Sequence, residues 1–419
     1  MNNIEIKEKA GYCLNCKLKP CSQRGCPLHN NIPEFIKCVK EENYNKAYEI
    51  LSETTVLPGI CGRICPHKEQ CQGSCIRGIN GKPVSIGEIE AFVFDYAISQ
   101  GNSLKKIWEK EIQKNKKINK KVAIIGGGPS GLTCAAFLTR KGIKVTIYEK
   151  YNQLGGILTH GIPDFRLPKE VVNKTINNIL ELGIHVKYNA ELGKNLKLKE
   201  LEKEYDAIFL CFGANVPLRM GIEGENLKGV FYGNELLENN NHPDYREKTI
   251  FVVGGGNVAI DVARTVKKLG AKEVKIIYRR AKQQMPASEK EVEDAINEKI
   301  EFMYQNNISR IIGEDTLKEV ELVKTELIKK DGEERLIPKN IDNSNYVLKA
   351  DYVIMALGSK PQDFVKKLGL ELNERDNLKI NNKFQTSNPK IFAIGDLIGT
   401  KKTVAWAAYT GREATKNCQ

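Results

Sequence analysis

Nine of the chain's twelve cysteines lie between Cys13 and Cys75. They form two groups, Cys13-x2-Cys16-x4-Cys21-x4-Cys26 and Cys61-x3-Cys65-x5-Cys71-x3-Cys75, with Cys38 between them. Soft thiolates at short spacings suit zinc or iron–sulfur clusters. A zinc ribbon takes two Cys-x2-Cys knuckles. Here the spacings are uneven and eight thiols are available, enough for two clusters. Cys26 and Cys65 each precede proline, a step also found in ferredoxin-type runs. The spacing therefore favours iron–sulfur and leaves zinc as the alternative. Cys38 falls on a helical pattern and reads as a small buried hydrophobe.

Two glycine turns carry the second kind of chemistry. The first follows an apolar run from Lys121 to Ile125 and reads Gly126-Gly-Gly128-Pro-Ser130-Gly131. A helical pattern and a second strand ending at Glu149 come next. In such a turn the first glycine bends the chain, the second admits a pyrophosphate and the third lets helix and strand pack closely. The phosphates rest on the helix N-terminus, where free N–H groups and the dipole favour anions. Glu149 stands 18 residues after Gly131, close to the spacing of about 20 at which an acid accepts from a ribose hydroxyl. The second turn follows Thr249 to Val253 and reads Gly254-Gly-Gly256-Asn257-Val258-Ala259. Its next strand ends in Arg279-Arg280 where the first unit has its acid, which favours a 2′-phosphate and hence NADPH over NADH. Two unlike turns suggest a flavin held in the first and a nicotinamide visiting the second. A strand running into Gly395-Asp396 adds an acid suited to flavin ribityl hydroxyls.

The elements that must position these residues are legible in outline. At 419 residues, two or three domains are expected. Pro33 to Leu51 has helical spacing and separates the cysteine groups, while Lys105 to Lys121 is charged and reads as a linker or solvated helix. No apolar run reaches membrane-spanning length and no secretory signal opens the chain, so a cytoplasmic location is expected. The net charge of +13 is scattered rather than clustered with aromatics. That argues against nucleic acid and leaves a solvated surface or a docking face for an acidic partner. His67 reads as a surface residue, and the five histidines share no metal-ligand spacing.

Together these motifs resemble the small (beta) subunit family of NADPH-dependent glutamate synthase, shared with the N-terminal half of dihydropyrimidine dehydrogenase and with a subunit of NADH-dependent ferredoxin:NADP oxidoreductase. The likeness runs from Cys13 to the helix after Gly399. It includes Gly155-Gly156-Ile157 through Arg166 and a Met285-Pro286 step after the arginine pair. It implies an all-α iron–sulfur module followed by two Rossmann-like domains of three-layer ββα type, the NADPH domain inserted in the FAD domain. The expected boundaries are 1–118 for two 4Fe–4S clusters, 119–247 and 351–419 for FAD, and 248–350 for NADPH. It also implies one cluster on Cys13, Cys16, Cys21 and Cys75, and another on Cys26, Cys65, Cys71 and Glu90, with Cys61 no ligand. FAD would meet Gly128, Ser130, Glu149, Gly156, Ile157, Arg166 and Asp396. NADPH would meet Gly256, Asn257, Val258, Arg279 and Arg280. No catalytic acid or base is implied. The expected partner is an FMN-containing glutamate synthase large subunit or a ferredoxin-type acceptor, in a hetero-oligomer. Rival readings are a flavin disulfide reductase, which would need a redox pair such as Cys134 and Cys211, and a zinc-stapled binding module.

Overall fold

The computed structural model describes residues 2–115, 118–329, 336–374, 376–399 and 401–418. The chain divides into two compact units: Met1–Thr159, Asp164–Ala214 and Pro361–Gln419 form the first, and His160–Pro163 with Asn215–Lys360 form the second.

The first unit opens with helices α1 (Asn3–Gly11), α2 (Ile32–Lys40), α3 (Tyr44–Ser52), α4 (Pro58–Ile64), α5 (Ile86–Ser99) and α6 (Leu104–Asn115). Among the described residues no strand precedes Lys121. The helical run from Pro33 to Leu51 breaks into α2 and α3, because the Asn43 side chain accepts from Lys46 N–H and starts a new helix there. The charged stretch after Lys105 is only partly the solvated helix expected. Its α6 buries Leu104 and Trp108, and Trp108 packs on Phe137 with ring centroids 5.5 Å apart. Two apolar anchors among long charged side chains suffice to dock it. Residues 116 and 117 of that stretch lie outside the described residues.

A parallel sheet follows: β1 (Lys121–Ile125), α7 (Pro129–Arg140), β2 (Lys144–Tyr148), a single turn α8 (Ile157–His160), α9 (Lys169–Leu180), β3 (His185–Lys187), α10 (Leu198–Glu204) and β4 (Ala207–Leu210). The uninterrupted apolar runs of β1 and β4 suit strands covered on both faces.

The second unit holds β5 (Val216–Pro217), β6 (Val230–Tyr232), α11 (Gly233–Asn239), β7 (Thr249–Val253), α12 (Asn257–Lys268), β8 (Glu273–Tyr278), α13 (Glu289–Asn297) and β9 (Glu301–Tyr304). It continues with β10 (Asn306–Gly313), β11 (Leu317–Ile328), β12 (Ile337–Asn340), β13 (Tyr346–Lys349), β14 (Tyr352–Met355) and β15 (Ser359–Lys360). The chain then returns to the first unit, where β16 (Ile391–Ala393) and α14 (Val404–Thr415) complete the sheet β16-β4-β1-β2-β3.

In the second unit a five-stranded parallel sheet, β6-β14-β7-β8-β9, has unlike covers on its two faces. Ile250, Val252 and Ile276 pack against α12 residues such as Ile260 and Ala263. The alternate residues Phe251, Val253 and Ile277 pack against Ile308, Val320 and Leu322 of the antiparallel strands. This two-residue period splits one strand between two cores and gives helix, sheet and sheet in three layers. The unit is wider than the 248–350 expected. β6 and β14 pair within this sheet, so residues from 215 and up to 360 belong with it.

Candidate cofactor sites

The first thiol set is built by local turns. Cys13 and Cys16 follow α1, Cys21 opens a short turn ending at Gly25, and Cys75 arrives from the second cysteine group. Cys13, Cys16, Cys21 and Cys75 line one hollow, with Ile32, Ile36, Val84 and Ile86 as its apolar wall. The backbone N–H of Asn15 reaches the Cys13 sulfur at 3.5 Å. Burial pushes the Cys21 thiol up to about 11, against a hydrogen bond from Ser22.

The second set is deeper. Gly25 lies so close to Cys71 that a Cβ on it would stand 2.8 Å from the Cys71 Cα, which brings the first cysteine group onto the second. Cys26, Cys65, Cys71 and the α5 residue Glu90 act electrostatically on one another there. Burial pushes Cys26 up to about 12, with the Glu90 charge adding to it and the backbone N–H groups of Asn30 and Leu28 opposing it. Cys71 rises well above its ordinary value for the same first reason, burial, with Cys26 and Glu90 contributing. Cys65 rises chiefly through its hydrogen bond with Cys61, so Cys61 stands beside this set. Burial alone lifts the Glu90 carboxyl to about 8. Acidic groups gathered in a dry site, with backbone donors aimed at their sulfurs, ionise there only alongside a positively charged guest. That donor chemistry fits an iron–sulfur cluster. Among the described residues no three His, Cys, Asp or Glu side chains converge tightly enough for a single metal ion.

His67 is not the surface residue the sequence suggests. Its Nε2 lies 3.1 Å from the Cys61 carbonyl, and its ring packs so closely on Gly87 that a Cβ there would meet it at 2.3 Å. Cys38 is buried on α2.

The flavin-type turn gathers around the start of α7. Gly126 has φ +103°, a left-handed conformation that side chains resist, and its N–H donates to Tyr148 O at 2.8 Å. A Cβ on Gly131 would lie 2.0 Å from Gly126 O, so the helix can leave the strand this steeply only without one. Gly128 caps α7 and faces open space, with Ser130 one residue into the helix. Glu149 is buried, and its Oε2 and Oε1 accept from the N–H groups of Gly127 and Tyr151 at 2.8 and 3.0 Å. Gly156 sits over Gly128, a Cβ on it falling 3.1 Å from the Gly128 Cα. Ile157, next to it, is exposed, and Arg166 is half-buried. Gly395 closes in from β16: a Cβ on it would lie 2.6 Å from Ser130 Oγ, and its N–H donates to Thr410 Oγ1 at 2.9 Å. Burial raises the Asp396 carboxyl to about 6, with Lys402 opposing.

In the second unit Gly254 N–H donates to Ile277 O at 3.0 Å, and Gly256 caps α12 facing open space. Val258 is half-buried and Ala259 is packed in the core. Arg279 is exposed and Arg280 half-buried, directly after β8. The segment after Met285-Pro286 folds back on the turn: Ala287 N–H donates to Gly255 O at 3.0 Å, and Ser288 N–H to Asn257 Oδ1 at 3.0 Å. Sequence reading passed over Ala287, Ser288 and Thr410. None stands at a recognisable spacing from the motif it supports, and only the fold brings it there.

Cys134 and Cys211 are both buried, and burial raises both thiols well above their ordinary values. A redox pair needs a lowered pKa and access, so this setting suits packing rather than thiol exchange. No helix among the described residues is long and apolar enough to cross a membrane.

The chain is similar to known proteins over its whole length. A family model described as pyridine nucleotide-disulphide oxidoreductase matches residues 120–412. One described as dihydropyrimidine dehydrogenase domain II, 4Fe-4S cluster, matches residues 1–102. The glutamate synthase [NADPH] small chain of Escherichia coli is 36% identical over 98% of this chain and 90% of its own. That of Halomonas elongata is 36% identical over 97% and 88%. Among solved structures, Mycobacterium tuberculosis FprA in complex with NADPH superposes with a TM-score of 0.62 at 21% identity, covering 72% of this chain and 85% of that one. At that identity it speaks to the fold alone.

Proposed function

The chain belongs to the pyridine nucleotide-disulphide oxidoreductase family and, within it, to the glutamate synthase small-chain group of NADPH-dependent FAD and iron–sulfur oxidoreductases. From that premise we propose that it takes reducing equivalents from NADPH and delivers them through its N-terminal module to a partner subunit. The name small chain carried by its relatives supports a large subunit as that partner, and we infer one that holds FMN to accept electrons singly. The reading is carried by one observation: a single chain pairs two thiol sets with two unlike glycine turns, one ending in Glu149 and the other in Arg279-Arg280.

Bound flavin supplies the exchange of a hydride for single electrons, and two 4Fe–4S clusters supply the onward route. The chain's own residues bind and orient. The first turn, with Gly126, Gly128, Ser130 and Gly131, presents N–H groups to a pyrophosphate. Glu149 is held for a ribose by two backbone donors. Gly156, Ile157, Arg166, Gly395 and Asp396 complete that site. Gly254, Gly256, Asn257, Val258 and Ala259 form the second cradle, where Arg279 and Arg280 select the 2′-phosphate. Cys13, Cys16, Cys21 and Cys75 hold one cluster, and Cys26, Cys65, Cys71 and Glu90 the other. Hydride transfer to a bound flavin would need no side-chain acid or base, and the proton carried by the hydride would be released as the two electrons leave singly.

Anaerobic titration with NADPH tests this. The flavin bands should bleach first and the broad iron–sulfur absorption next, with NADH slower at equal concentration. A flavin that stays oxidised, or a chain that binds zinc without iron, would reject the reading. Anaerobic capture of the native chain with identification of its companion tests the partner. Recovery of a subunit with no FMN domain would replace the large-subunit assignment.

A further inference from the structure

Asn30 lies between the loop that follows Cys26 and the helix that carries Glu90. It is 2% exposed and Glu90 5%, so neither exchanges freely with water. The Asn30 amide has both ends committed. Its Nδ2 donates to Glu90 Oε1 at 3.3 Å, and its Oδ1 accepts from Thr54 Oγ1 at 2.8 Å. The hydroxyl has one proton to give; Oδ1 at 2.8 Å is the nearer acceptor, against 3.4 Å to Leu51 O, and giving it there fixes the amide so that its N–H₂ faces Glu90. One Glu90 oxygen is thereby occupied and the other left over. The same segment is tied to α14, because Arg412 Nη1 donates to Leu28 O and to Thr54 O, both at 2.8 Å. Two residues earlier on that helix, Thr410 holds the Gly395 N–H of the flavin-type turn.

We propose that Asn30 is a positioning residue: held by Thr54, and with its loop pinned to α14 by Arg412, it decides which oxygen Glu90 turns toward the cluster on Cys26, Cys65 and Cys71. This rests on reading those four residues as ligands. A carboxylate that can bind through either oxygen, or both, gives a cluster with more than one ligand geometry. Asn30 removes that choice, and Arg412 keeps the ligand loop in step with the helix that supports the flavin-type turn.

The test changes the polarity of the pair in the full-length, anaerobically reconstituted chain. Asn30→Asp is isosteric, removes the donor and sets a second carboxylate against Glu90. The readouts are the paramagnetic resonance spectrum of each reduced cluster and the iron retained under chelator challenge. Asn30→Asp should alter one cluster's spectrum and lower its iron retention about tenfold, the usual scale for losing an outer-sphere partner of a ligand. Thr54→Val, a milder change, should alter the same spectrum. The proposal is overturned by a wild-type spectrum in Asn30→Asp, or by both clusters changing together as in general loss of fold. If the unmutated chain holds only one cluster, the ligand assignment fails and the proposal falls with it.

Discussion

Arg279 and Arg280 illustrate how much a single strand end decides. Both follow β8 at the place where Glu149 follows β2, and a guanidinium there meets a phosphate with charge-assisted hydrogen bonds of roughly 1.5–3 kcal/mol. Replacing both by Gln should lower kcat/KM for NADPH about tenfold to a hundredfold and leave NADH nearly unchanged. Steady-state kinetics with the two cofactors measures the ratio, and an equal loss with both would remove the arginines from selection. Asp396 makes a second residue-scale prediction. Its carboxyl is raised to about 6 in the fold, chiefly by burial. A raised carboxyl favours the folded state while protonated. The Asp396 contribution to the stability of the flavin-free protein should therefore be greatest near pH 4, fall as pH climbs through about 6, and level off above. Asp396→Asn lessens the fall between pH 5 and pH 8 and should add on the order of 1–2 kcal/mol at pH 8, while weakening FAD retention. Denaturant melts at pH 5 and pH 8 check it, and a variant with the wild-type pH slope would contradict it.

At the scale of elements, the strand–turn–helix unit separates two reasons for a glycine. Gly131 is required by the fold, since its helix passes 2.0 Å from where a Cβ would meet Gly126 O. A Cβ added to Gly128 would meet no protein atom within 4 Å, so only a ligand needs its bare backbone. Gly131→Ala should cost about 1–3 kcal/mol of stability in the flavin-free protein. Gly128→Ala should stay within about 0.5 kcal/mol and yet lose bound FAD. Thermal melts beside flavin-to-protein ratios distinguish the two, and a Gly128 variant as unstable as the Gly131 variant would refute the division. The α6 helix shows the opposite case. Its composition is that of a solvated segment, yet it buries Leu104 and Trp108 and pairs Glu111 with Arg140, so residue counts along the chain understate its docking.

At the scale of the molecule, the two glycine turns belong to different compact units, the first to Met1–Thr159 with its returning segments and the second to Asn215–Lys360. NADP⁺ added to the flavin-loaded protein should slow amide exchange at residues 254–259 and 279–288 and leave 126–131 unchanged. Hydrogen-exchange mass spectrometry reads both windows at once. Protection at the first turn rather than the second would reverse the assignment of cofactors.

The sequence alone carries the two fingerprints, the strand-end acid and arginines, and the uneven cysteine spacing. Each is a local pattern, and local backbone geometry over a few residues is enough to build its turn. The inserted order of the units came from the family resemblance rather than from any spacing in the chain. Tertiary structure alone decided that β6 and β14 share one sheet, since strand partners more than a hundred residues apart are chosen by which faces bury together. It likewise decided that His67 is packed against Gly87, whereas the grouping of Cys75 with Cys13 was already implied by the resemblance. The chain from Glu90 through Asn30 and Thr54, with Arg412 bonded to the Thr54 carbonyl, is the clearest instance. Its members lie in four separate stretches of sequence, and only burial in common, where each polar group must find a partner, brings them into one network.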